Sequence, residues 1–145
     1  MKLRVSTVVA ATPAEVWNDV RNLASHTEWM EDALAIRFLT PAHQGVGTEF
    51  VCTTRVGPIR LDDRMSVTEW SERQAIGIRH TGVVSGEGRF TLRRARRGRT
   101  RFTWTERLRF PWWLGGPAGA WMARPVLRRI WRRNLRNLAG RFGAG

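Results

Sequence analysis

Pro117 to Phe142, PAGAWMARPVLRRIWRRNLRNLAGRF, is the stretch on which the fold turns. At about 100° per residue, Leu127, Ile130, Trp131, Leu135, Leu138 and Phe142 fall on one side with Ala123 beside them. Arg128, Arg129, Arg132, Arg133 and Arg136 fall on the other. The pattern is that of an amphipathic helix with a wide apolar face. Pro125 suits a first helical turn better than an interior, so the helix is expected to restart or kink there. A helix this long, with Trp131 and Phe142 on its dry side, needs a large apolar partner.

The upstream chain supplies one in the form of strands. Lys2 to Ala11 alternates Leu3, Val5, Thr7 and Val9 against Lys2, Arg4, Ser6 and Val8, a strand with one buried face. Thr12-Pro13-Ala14-Glu15 is a capping box with Pro at the first helical position, and Val16, Trp17, Val20, Leu23 and Ala24 give its helix an apolar stripe. Ser25-His26-Thr27-Glu28 repeats the capping pattern and predicts a second short helix carrying Trp29.

Strands are then expected over 34–40, 46–56 and 59–70. Gly57-Pro58 fits a two-residue type II′ turn, with Gly at the positive φ. That turn pairs Val56 with Ile59, Thr54 with Leu61, Cys52 with Asp63 and Phe50 with Met65, a register that matches the apolar faces. A fifth strand over 74–81 turns Ile76, Ile78 and His80 inward, and a sixth over 84–95 turns in Val84, Gly86, Gly88, Phe90 and Leu92. Arg96-Arg97-Gly98 closes a hairpin that sets Leu92 against Phe102, Phe90 against Trp104 and Gly88 against Glu106. The seventh strand covers 100–109. Helices set to one side of an antiparallel sheet make an α+β two-layer fold.

The 145 residues are expected to form a single domain, with 42% hydrophobic and 26% charged residues as in ordinary globular proteins. No apolar run approaches the ~20 residues of a membrane span, the start lacks the pattern of a signal peptide, and the one Cys52 excludes an internal disulfide. A cytoplasmic protein is expected. The net charge is +13, and 24 of the 25 basic residues are Arg. Residues 71–145 hold 18 Lys+Arg against 3 Asp+Glu, while residues 1–70 are slightly acidic. This asymmetry either serves an anionic partner, of which a weakly contacted anionic membrane is the best fit, or is simply a solvated face. Nucleic acid is the weakest reading, because the arginines are not interleaved with exposed aromatics on a recognised module.

The element order resembles the helix-grip fold of the START-like (SRPBCC) superfamily, in particular the polyketide cyclase/dehydrase-type family and the birch pollen allergen. The local matches are TPAEVWNDVRNLASHTEW (Thr12 to Trp29), GVGTEF (Gly45 to Phe50), VTEW (Val67 to Trp70), TRFTWTERL (Thr100 to Leu108) and the final helix. The resemblance implies a seven-stranded curved antiparallel sheet, two short helices and a long C-terminal helix enclosing an elongated apolar cavity. It transfers no catalytic residue. The function it implies is binding of a hydrophobic small molecule such as a lipid, isoprenoid or polyketide. A polyketide aromatase/cyclase acting in the same cavity is the alternative.

Inward-facing positions nominate the site. Gly86 and Gly88 stand where a packed sheet would usually carry Val or Leu, so they either open volume or only allow bending. The apolar wall is expected from Phe50, Met65, Ile78, Phe90, Leu127, Trp131 and Trp104, with Trp29 and Trp113 as core or cavity wall. Cys52, Asp63, His80 and Glu106 are the polar candidates; Asp63, His80 and Glu106 are the candidate catalytic groups. Cys52 could pair with His80 as a nucleophile or be a small buried hydrophobe. Glu106, on a strand reading Phe102, Trp104, Glu106, Leu108, should hold its proton more tightly than usual, unless a nearby Arg pairs with it. His26, Asp32 and His43 are too scattered for a metal spacing. No phosphate loop, nucleophile elbow or dinucleotide fingerprint occurs, so neither metal nor cofactor is expected.

Overall fold

The computed structural model describes residues 1–143. The elements run β1 (Lys2–Val9), α1 (Pro13–Val20), a 3-10 turn (Leu23–Glu28), β2 (Ala33–Phe38), β3 (Glu49–Val56), β4 (Ile59–Ser71), β5 (Ala75–Thr81), β6 (Ser85–Arg94), β7 (Thr100–Arg109), a 3-10 turn (Trp112–Leu114) and α2 (Gly116–Gly140). The seven strands form one antiparallel sheet in the order β1-β7-β6-β5-β4-β3-β2. Helix α2 packs along β1 and β7, which gives the expected α+β arrangement of a sheet gripping a long helix.

Local chemistry accounts for the elements. The Thr12 hydroxyl caps α1, accepting from the Glu15 N–H at 3.3 Å and donating to the Glu15 carboxylate at 3.0 Å. Gly57 takes φ 58° in the β3–β4 turn, and the register Val56↔Ile59, Thr54↔Leu61, Cys52↔Asp63, Phe50↔Met65 follows. The β6–β7 hairpin pairs Leu92 with Phe102, Phe90 with Trp104 and Gly88 with Glu106. Its loop needs two left-handed residues, Arg97 as well as Gly98.

Two local expectations are corrected. The second helix is a 3-10 turn that starts at Leu23, two residues earlier than its supposed cap. Ser25 lies inside it, donating to the carbonyls of Asn22 and Asp19 instead of capping an amide. Helix α2 runs through Pro125 without a restart. The missing N–H costs the bond to the carbonyl of Trp121, beside the exposed side chains of Trp121 and Met122.

The apolar face of α2 buries Leu127, Trp131, Leu135 and Leu138, with Ile130 and Phe142 half-buried. Asn134 is also fully buried there. Its Oδ1 accepts from the Glu31 N–H at 2.9 Å and its Nδ2 donates to Asp32 at 2.7 Å. Asn137 donates to the Trp29 carbonyl at 3.2 Å, and Arg141 pairs with Asp19 through two 2.8 Å bonds. The second half of the helix is thus pinned by directional bonds as well as by packing.

Trp131 stacks on Trp104 with ring centroids 4.8 Å apart. Trp131→Ala should therefore cost roughly 3–5 kcal/mol in chemical denaturation. Arg132→Ala, on the exposed side, should stay within ~0.5 kcal/mol of wild type. Equal losses in the two variants would contradict this orientation of the helix.

Candidate functional site

Between the sheet and α2 lies a cavity of about 320 Å³, within the usual range for small-molecule sites. Its walls come from β2 to β7, the residues after the first 3-10 turn, and the face of α2 from Gly119 to Trp131. Val126 of α2 and Ile59 of the β3–β4 hairpin both line it and are 51% and 46% exposed, so they mark its mouth. Leu23, His26, Ile76 and Phe90 lie at its buried end.

Most of the nominated residues meet here. Phe50, Met65, Ile78, Phe90, Leu127, Trp104 and Trp131 form apolar wall; Cys52, Asp63, His80, Gly88 and Glu106 line the same space. Three do not. Trp29 is fully buried among His26, Phe90, Phe102 and Trp104, ring centroids 5.2–6.3 Å away, and belongs to the packed core. Trp113 is half exposed, because its turn sends Leu114 to the cavity instead. Gly86 opens no volume: it sits at φ 143°, and a Cβ there would lie 1.8 Å from the Arg107 carbonyl oxygen. It is glycine to let β6 and β7 approach.

The polar centre is a cluster of three. His80 Nδ1 lies 3.0 Å from Asp63 Oδ2, and its Nε2 lies 3.0 and 3.3 Å from the two oxygens of Glu106. The Trp104 indole N–H donates to Glu106 Oε1 at 3.0 Å. Asp63 is on β4, His80 on β5 and Glu106 on β7, so His80 and Glu106 must meet across β6. They can because β6 presents glycine there. A Cβ on Gly88 would sit 2.4–2.7 Å from the Glu106 carboxylate, which fills that space. Gly88 thus makes room for Glu106 itself, and the partner of Glu106 is a histidine and an indole, neither a bare apolar wall nor an arginine.

Burial works against a charged imidazole, but the hydrogen bonds and negative charges of Asp63 and Glu106 outweigh it and raise the His80 pKa from 6.5 to about 10. With both nitrogens donating to carboxylates, His80 is an imidazolium at neutral pH. It is not paired with Cys52. Burial, against a hydrogen bond from Thr54 at 3.7 Å, pushes the Cys52 thiol up to about 11, so the residue is a small protonated hydrophobe.

Sequence reasoning missed Asp32 and His26 as wall residues. Asp32 has its pKa raised by burial, although Asn134 and Trp131 donate to it. Asn134 interrupts an otherwise apolar stripe, the one signal that could have pointed to a buried acid partner. His26 is pushed down to about 4 by burial and is neutral; its Nε2–H donates to the Val20 carbonyl at 2.8 Å. Among the described residues no grouping of His, Cys, Asp and Glu has the geometry of a metal site.

The titrations have opposite signs. His80 has a folded pKa above its unfolded value, so its contribution is complete below about pH 6.5 and is lost as pH rises through about 10. His26 is depressed, so its contribution is lost as pH falls from 6.5 toward about 4. Denaturation between about pH 6.5 and 8.5 should show stability falling by up to ~1.4 kcal/mol per pH unit. Glu106→Gln, which keeps the shape and removes one of the two partners, should flatten that slope; an unchanged slope would mean Glu106 does not help hold His80 as an imidazolium.

The fold recurs among solved structures. A START superfamily protein from Mycobacterium smegmatis superposes with a TM-score of 0.78 at 12% identity, covering 97% of this chain and 96% of the other. The Zhui aromatase/cyclase from Streptomyces sp. R1128 gives 0.74 at 18%, covering 97% and 92%. A conserved protein from Geobacillus kaustophilus gives 0.80 at 13%, covering 98% and 95%. No curated protein matches the chain. The sequence itself, over residues 1–143, fits the family described as polyketide cyclase / dehydrase and lipid transport. A chain that matches the family over nearly its whole length, and folds as a sheet gripping a helix around a cavity, belongs to that family.

Proposed function

We propose that the protein binds one hydrophobic small molecule, such as a lipid, isoprenoid or polyketide, in the cavity under α2, with a polar end at Asp63–His80–Glu106. The observation that carries this reading is the cavity: about 320 Å³, walled chiefly by apolar side chains, with its polar groups gathered in one place. The cluster sets the preferred ligand chemistry. Asp63 and Glu106 together outweigh the single positive charge of His80, and Asp63 Oδ1 is buried and accepts no hydrogen bond from the described residues. A hydroxyl or amine donor is therefore favoured over a carboxylate at that end.

Fluorescence titration with N-phenyl-1-naphthylamine, a neutral apolar probe, tests the reading. Wild type should bind about one equivalent, as one pocket of this size allows. Ala123→Trp, which adds an indole to the wall, should remove binding without unfolding the protein. Long-chain alcohols should displace the probe better than fatty acids of equal length. Binding unaffected by Ala123→Trp would place the probe elsewhere and sink the reading.

A polyketide cyclase acting in the same cavity is the second reading, and the titratable cluster on the cavity wall is the observation in its favour. The pKa of His80 weighs against it: an imidazole held protonated to about pH 10 is a poor general base at neutral pH. Turnover of a poly-β-keto thioester by wild type, abolished in Glu106→Gln with binding retained, would establish the enzyme; binding without turnover leaves the first reading in place.

A further inference from the structure

Three tryptophans and a methionine face water within eleven residues of one another. Trp112, Trp113, Trp121 and Met122 are 86%, 55%, 73% and 76% exposed. Among the described residues these are the only exposed tryptophans; the other five are buried or half-buried. Single exposed apolar residues need no explanation, but a cluster of this kind does. The cluster also has a definite place. Trp113 adjoins Leu114, and Trp121 and Met122 lie about one helical turn before Val126; Leu114 and Val126 both line the cavity. The patch therefore rims the cavity mouth.

The same face of α2 changes character along its length. Trp121, Met122 and Val126 project away from the buried Leu127, Trp131 and Leu138. Further along that outer sector come Arg129, Arg132 and Arg136, all exposed and in no salt bridge among the described residues. Helix α2 contains no Asp or Glu to neutralise them. An apolar, indole-rich half followed by a cationic half is the composition of a helix that lies in a membrane interface.

We propose that this face docks the protein on an anionic lipid bilayer, with the tryptophans and Met122 entering the interface and Arg129, Arg132 and Arg136 meeting headgroup phosphates. Charge selects this occupant: a second copy of the chain would bring no acidic side chain from α2 to meet the arginines, and a nucleic acid would leave Met122 and Val126 without an apolar partner. Docked in this way, the cavity mouth opens toward the bilayer, and an apolar molecule passes between the two without crossing water. That last step rests on the ligand-binding reading; the docking does not.

The test is sedimentation of the full chain with vesicles of phosphatidylcholine alone or with about 30% phosphatidylglycerol, at low and physiological salt. Wild type should partition onto the anionic vesicles and much less onto the neutral ones. Trp121→Ala/Met122→Ala should lower that partition by about tenfold or more, and Arg129→Gln/Arg132→Gln/Arg136→Gln should remove the preference for anionic lipid. Both variants change exposed side chains only and should keep probe binding in the cavity, which separates a docking failure from a cavity failure. Equal binding of wild type to the two vesicles, no binding, or partition unchanged in the variants would overturn the proposal. So would a wild-type dimer in sedimentation velocity that Trp121→Ala/Met122→Ala splits, because the face would then join two copies.

Discussion

The polar end of the cavity rests on the contact that His80 makes with Asp63 and Glu106 across the four neighbouring strands β4 to β7. It requires β6 to have no side chain where the Glu106 carboxylate lies, which is why position 88 is glycine. It also requires the imidazole to be a cation, since it donates through both nitrogens. Such a cluster is a poor way to gain stability. Burying ions costs about as much as their mutual attraction returns, and apolar residues of similar size would serve the fold as well or better. Its place on the wall of a cavity, and not in the packed core beside Trp29 and Phe102, fits a role in recognising what enters.

Helix α2 closes the cavity unevenly, and the unevenness positions the opening. Its second half is tied by Asn134 to the Glu31 amide and to Asp32, by Asn137 to the Trp29 carbonyl, and by Arg141 to Asp19. Over its first half, among the described residues, the only side-chain bond to another element is that of Arg124 to the Lys2 carbonyl. The mouth therefore lies under the less tightly held end, beside Gly119, Ala123 and Val126. The buried Asn134–Asp32 contact has a second consequence: it places a third carboxyl on the cavity wall, one whose pKa burial raises.

Much of this was legible in the residues because periodicity and turn chemistry are local. Alternation gave the strands, Gly57-Pro58 and Arg97-Gly98 gave two registers, and those registers alone put Cys52 beside Asp63 and Glu106 beside Gly88. Contacts that skip a strand were not legible. Inward-facing Gly88 reads as empty space until the position of the Glu106 carboxylate is known, and nothing in the order of residues says that His80 reaches across it. Trp113 failed for a related reason. Hydrophobicity predicts burial only when an apolar partner faces the residue, and the turn before α2 gives that place to Leu114. Asn134 was passed over because a single polar residue within an Arg-rich helix reads as surface, although its projection falls beside Trp131 and Leu138.

The two proposals together imply a separation of charge between the inside and the outside of the molecule. The cavity carries Asp63 and Glu106 against one imidazolium, and the outer face of α2 carries only cations. At short range in a poorly solvated cavity an unpaired negative charge is repelled strongly, whereas at the surface the attraction of each arginine for phosphate is modest and additive. On those two proposals an anionic headgroup would be drawn to the rim and refused inside. A bilayer rich in anionic lipid would then hold the protein without filling it, which would leave the cavity for a neutral or donor-bearing molecule.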